Sequence, residues 1–73
     1  MRRTVLKITY GGTYSVIRND QKKSNQYEIF YTWFGEDGKH RKKLNEYEDF
    51  LSCLYDLIDR ITKVANTLAR GEY

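Results

Sequence analysis

Residues 45–71, NEYEDFLSCLYDLIDRITKVANTLARG, decide the fold, because their apolar positions repeat at helical spacing for longer than anywhere else in the chain. Tyr47, Phe50, Leu54, Leu57, Ile61, Val64 and Leu68 follow one another at intervals of three and four, the mark of one face of an α-helix. Leu51, Ile58 and Ala65 run beside this line and widen it into a broad apolar face. The ends carry start and stop signals. Asn45 can accept from the first-turn amides while Glu48 reaches back to the Asn45 amide, an Asn form of the capping box. Arg70 suits the negative end of the helix dipole, and Gly71 suits a left-handed cap. The pattern predicts a helix over 46–70, about 37 Å long at 1.5 Å per residue.

Upstream, residues 1–45 read as a sheet. Val5 to Tyr10 alternates around Leu6, Ile8 and Tyr10, Gly11-Gly12 supplies the positive φ angles of a two-residue turn, and Thr13 to Asn19 returns. Asp20 to Asn25 is polar and without period, so it reads as a mobile loop. Gln26 to Phe34, dense in Tyr, Ile, Phe, Thr and Trp, is the strongest strand signal, and Asp37-Gly38 turns it into Lys39 to Leu44. The expected fold is α+β and a single domain over 1–73: an antiparallel sheet of four strands, or of three in a smaller version, packed on one long C-terminal amphipathic helix. Strands of six or seven residues span about 20–23 Å. A 37 Å helix should therefore overhang such a sheet by roughly two turns, exposing Ile61, Val64, Ala65 and Leu68 as an interface for a homodimer.

Turn geometry assigns faces to the strands. With Asp37-Gly38 as loop residues, Phe34 lies opposite Arg41, Thr32 opposite Lys43 and Tyr31 opposite Leu44. Tyr27, Ile29, Tyr31, Trp33 and Leu44, with Leu6, Ile8 and Ile17, then form the floor for the helix. Lys7, Tyr14, Val16 and Arg18 join Phe30, Thr32, Phe34, Arg41 and Lys43 on the outer face. That face is both aromatic and basic. Its candidate binding residues are Lys7, Tyr14, Arg18, Phe30, Thr32, Phe34, Arg41 and Lys43.

Charge points the same way. The chain of 73 residues has a net charge of +3, but residues 1–45 hold ten Lys or Arg against four acids, a local +6, whereas 46–70 sum to −2. Basic bias concentrated on one element is the footprint of a polyanion binder, although a solvated lysine-rich edge is the commoner cause. Eleven aromatics among 73 residues are unlike a disordered chain. A single cysteine excludes an internal disulfide and suits a reducing compartment, so the expected location is cytoplasmic. Met1 to Ile8 carry the charge of a leader but only short apolar pieces broken by Lys7, and no stretch is long and apolar enough to span a membrane.

Little in the chain can do covalent chemistry. His40 and Cys53 are each the only residue of their kind, and neither has a second ligand at metal-binding spacing, so no metal or cofactor is expected. His40, next to Arg41, reads as a strand residue near a turn, and Cys53 as a small buried apolar group. Asp56 and Asp59 each have a base four residues on, Arg60 and Lys63, which suits solvated ion pairs. Gly35 and Gly38 frame a hairpin rather than a phosphate loop.

The stretch Asn25-Gln26-Tyr27-Glu28-Ile29-Phe30-Tyr31-Thr32-Trp33-Phe34-Gly35-Glu36-Asp37-Gly38-Lys39-His40-Arg41-Lys42-Lys43, followed by a helix with an acidic start, resembles the amino-terminal arm-binding domains of tyrosine integrases from mobile elements over residues 25–60. The resemblance implies a small antiparallel sheet that docks in the major groove, backed by one helix. Abundant Lys, Asn, Ile and Tyr with no Pro also suit a low-GC bacterium or its phage or plasmid. Two functional readings stay open: a non-enzymatic module that binds DNA or RNA through its outer sheet face, and a small phage or mobile-element protein that binds and inhibits a host or phage protein, as anti-CRISPR proteins do.

Overall fold

Strand-forming residues and two hairpin turns build a meander whose neighbours in sequence are neighbours in space. The structure, a computed structural model, describes residues 2–9 and 11–69. It contains β1 (Arg2–Thr9), β2 (Thr13–Asn19), β3 (Tyr27–Gly35), β4 (Gly38–Tyr47) and α1 (Phe50–Ala69). The sheet is antiparallel throughout, in the order β1-β2-β3-β4, with α1 across one face on β3 and β4. The α+β class with four strands and one C-terminal helix is the expected one.

The helix begins later than its sequence suggests. Asn45, Glu46 and Tyr47 pair with Ile29, Glu28 and Tyr27 and so belong to β4. The cap is Asp49, whose carboxylate accepts from the Ser52 backbone N–H at 2.9 Å and from the Ser52 hydroxyl at 2.9 Å. These bonds hold the Asp49 carboxyl below its usual pKa, the backbone one foremost. A β-pairing partner for each of 45–47 outcompetes the capping box proposed at Asn45. Glu48 instead accepts from the Asn25 backbone N–H at 3.1 Å. Arg70 and Gly71, the expected last turn and C-cap, lie outside the described residues.

These boundaries remove the length mismatch. Twenty helical residues span about 30 Å, and β3 and β4, at 9 and 10 residues, span about 30–33 Å. No two-turn overhang results, and Ile61 packs against the core rather than beyond it.

At the centre, Val16, Ile29, Cys53 and Leu57 are fully enclosed, with Tyr14 at 8% exposure beside them. Enclosing an aliphatic side chain of this size stabilises by roughly 1.5–3 kcal/mol. Burial pushes the Cys53 thiol up to about 11, as for an inert, apolar-packed sulfur. Tyr47 donates to the Asp56 carboxylate, which also accepts from Arg60 Nε at 2.7 Å, tying the end of β4 to the helix.

Candidate nucleic-acid interface

The two hairpins settle which side chains share a face, and the first departs from its expected turn. Thr9 pairs with Thr13, so three residues separate the strands rather than two. One extra loop residue turns the whole of β2 over. Tyr14 and Val16 therefore sit under the helix among the core residues, not on the outer face. Arg18 follows them: its guanidinium lies 5.9 Å from the Tyr27 ring centroid and its Nε lies 2.9 Å from Asp20. Tyr14 and Arg18 are thus removed from the outer face, and Ile17, expected on the helix floor, takes a place on it along with Thr13 and Ser15.

The second hairpin is also displaced, with a different consequence. Gly35 pairs with Gly38, leaving Glu36 and Asp37 as the loop, and Gly38 adopts φ +119°, a conformation open mainly to glycine. Phe34 faces Lys39, Thr32 faces Arg41 and Phe30 faces Lys43. The slip is two residues, which preserves the period of the pleat. Phe30, Thr32, Phe34, Arg41 and Lys43 therefore share the outer face as expected, joined by Lys39.

The open part of this face is a shallow hollow of about 360 Å³. Thr4, Thr13, Ser15 and Thr32 line it with hydroxyls, Ile17 lies in it, and Lys7, Lys39, Arg41 and Phe34 edge it. Phe34 is 80% exposed. The Arg41 guanidinium lies 4.1 Å from the Phe30 ring centroid, an arrangement that helps fix its position while the residue stays exposed.

The other end of the face is closed by charge. Lys22, from the loop after β2, reaches Glu46 at 2.6 Å and Glu28 at 3.3 Å; Lys43 reaches Glu46 at 2.9 Å and Glu28 at 3.6 Å. Glu28 is only 3% exposed. The Lys22 and then the Lys43 ammonium hold the Glu46 carboxyl down at about 2, and Glu46 in turn raises Lys22 above its ordinary value. Lys43 is thus engaged in a four-member network and is not a free phosphate ligand. The loop itself is held by Asn19, whose backbone N–H donates to Gln26 O at 2.8 Å and whose side chain accepts from the Gln21 N–H at 3.2 Å.

The remaining singled-out residues are placed as follows. His40 Nε2 lies 2.5 Å from Asp37 Oδ1 and its ring stacks on Trp33. Asp59 and Lys63 form the solvated i,i+4 ion pair expected of them, whereas Asp56, paired with Arg60, is largely covered because it also accepts from Tyr47 at the end of β4. Among the described residues no group of three His, Cys, Asp or Glu side chains could hold a metal ion, and no helix is long and apolar enough to cross a membrane. On the helix, Val64 lines a cleft against Tyr14 and Tyr31, Ala65 is half-buried and Leu68 is 40% exposed.

Lys39, Thr4, Thr13, Ser15 and Ile17 are the members of the hollow that sequence reasoning missed. The alternation Thr13, Tyr14, Ser15, Val16 held the signal for two of them, since hydroxyls and apolar groups trade places at period two. Comparison of the chain with family models, curated proteins and solved structures finds no match.

Proposed function

We propose that this protein is a non-enzymatic binding module that holds DNA or RNA on the open face of its sheet. The observation that carries the reading is the hollow where the exposed cations Lys7, Lys39 and Arg41 surround four hydroxyls beside the exposed ring of Phe34. Cations neutralise phosphates, hydroxyls donate to phosphate and sugar oxygens, and an exposed ring offers a stacking surface. The resemblance of residues 25–60 to integrase arm-binding domains suits a sheet laid into the major groove. The runner-up is a protein partner, for which the apolar ring of Phe34 and the internal neutralisation of Lys22 and Lys43 speak.

Fluorescence anisotropy with duplex DNA, single-stranded DNA and RNA probes across 50–200 mM salt tests this. Affinity should fall linearly on a log-log plot as counterions are released. Arg41→Ala and Lys39→Ala should each flatten the slope by about one, while Lys43→Ala, already engaged by two carboxylates, should change it less. If none of the probes binds in a salt-sensitive way at low ionic strength, the nucleic-acid reading gives way to the protein partner.

A further inference from the structure

The hollow on the open face has a rim and a floor, and its side chains sort between them by strand. The long ones stand at the margins: Lys7 on β1, Lys39 and Arg41 on β4, and Phe34 where β3 runs into the hairpin loop, all four exposed. The short ones lie on the middle strands. Thr13 and Ser15 on β2 and Thr32 on β3 are half-buried, and Ile17 between them and the far end is buried. The cations of β1 and β4 stand three strand spacings apart, about 14 Å. Pairing carries the basin across the sheet without a break, since Ser15 lies opposite Lys7 and Thr32 lies opposite both Thr13 and Arg41.

This profile discriminates between forms of nucleic acid. An element that reads a duplex enters the major groove, which is about 12 Å wide and admits a helix or a two-stranded ribbon. Entry requires the longest side chains at the centre of the inserted surface. Here the centre is recessed, the reverse of what the major-groove docking implied for residues 25–60 requires, and the floor hydroxyls cannot reach base edges deep in a groove. A duplex resting on the rim would offer phosphates to the cations and nothing to Phe34, because the faces of paired bases are stacked on one another. Phe30, on the same face, is covered by the Arg41 guanidinium, so the stacking surface is the 80% exposed ring of Phe34.

Given the nucleic-acid reading proposed for the hollow, on which this rests, we infer that the ligand is an unpaired strand, DNA or RNA. Its phosphates lie along the rim at Lys7, Lys39 and Arg41, its sugar and phosphate oxygens meet the floor hydroxyls, and one base stacks on Phe34. A strand is narrow enough to enter the basin and has an open base face to give. It thus uses every part of the hollow, where a duplex uses the rim cations alone.

One mixed-sequence strand without self-complementarity tests this in three forms: alone, as DNA and as RNA; annealed to its complement; and as an abasic spacer strand of the same length and charge. Each is read by fluorescence anisotropy at about 50 mM salt. The unpaired strand should bind at least about fivefold more tightly than the duplex and the abasic strand, the lower end of what one stacked base contributes. The tighter of DNA and RNA names the sugar. Phe34→Ala should remove most of that margin and leave duplex and abasic affinities unchanged, while Phe34→Trp, which keeps a ring, should retain it. A duplex or abasic strand bound as tightly as the unpaired strand, or Phe34→Ala weakening strand and duplex alike, overturns the inference and leaves the proposed function standing. Salt-sensitive binding by none of the forms removes both.

Discussion

On the face beneath α1, Val16 and Ile29 are completely enclosed, while on the opposite face of the same strands Phe34 is 80% exposed and the neighbouring groups are hydroxyls and cations. Adjacent residues of β3 thus do opposite work: Ile29 and Tyr31 bind the helix, Phe30 and Thr32 face outward. The difference separates the face that holds the fold together from the face proposed to bind. A sheet with one covered face can change its open face without unfolding, provided that the covered one is intact.

The strongest way to break the comparison is through the covered face. Ile29→Ala deletes a fully enclosed side chain in contact with the helix layer, and should cost about 2–5 kcal/mol. A domain of this size has a core that rarely supplies more than about 3–5 kcal/mol. Urea denaturation should therefore show Ile29→Ala largely unfolded at 25 °C. A loss below about 1 kcal/mol would mean that the helix layer contributes little.

The open face has one region that behaves like the covered one, and it gives an intermediate effect. Glu28 is enclosed between Lys22 and Lys43, so Glu28→Ala leaves both ammoniums to crowd Glu46 alone. Its cost should be about 1–2 kcal/mol, between the ranges for exposed and for buried pairs. The same network gives a pH signature. Glu46 has a folded value of about 2 against an ordinary 4.5, so its stabilisation is complete above about 4.5 and is lost as pH falls toward 2. Lys22 is raised above 10.5, so its share is present below that pH and lost above it. Thermal melts from pH 2 to 5 should show a decline that Glu46→Gln reduces. Equal acid sensitivity in wild type and Glu46→Gln would show that the network does not act on the folded state.

How much of this was legible in the sequence depended on period and parity. The helix announced itself through Leu54, Leu57, Ile61 and Val64, but its start did not, because Asn45 and Asp49 are both competent caps and only pairing with β3 decides between them. The β3–β4 face survived a mistaken loop because the slip was two residues. The β2 face did not survive, since the loop between Thr9 and Thr13 is odd and Gly11-Gly12 resembles an even turn. Val16 and Ile17, adjacent and equally apolar, blur the alternation that would have corrected it. Glu28 was illegible for another reason: its partners come from the loop after β2 and from the middle of β4, contacts that no local pattern encodes.

The smallest expected change in stability belongs to Phe34, and it isolates what the open face does. Phe34 is 80% exposed, so Phe34→Ala should change the unfolding free energy read from urea titration by no more than about 0.5 kcal/mol. If a base stacks on this ring, the same substitution should weaken nucleic-acid binding by about 1–3 kcal/mol while leaving the salt slope unchanged, because a ring neutralises no phosphate. Arg41→Ala should do the reverse, lowering the slope as well as the affinity. Finding both variants altered in slope would mean that Phe34 acts by positioning a cation, and finding Phe34→Ala unaltered in affinity would reduce the interface to phosphate contacts alone. A loss of stability comparable to that of Ile29→Ala would instead mean that the two faces of the sheet are not separate in function.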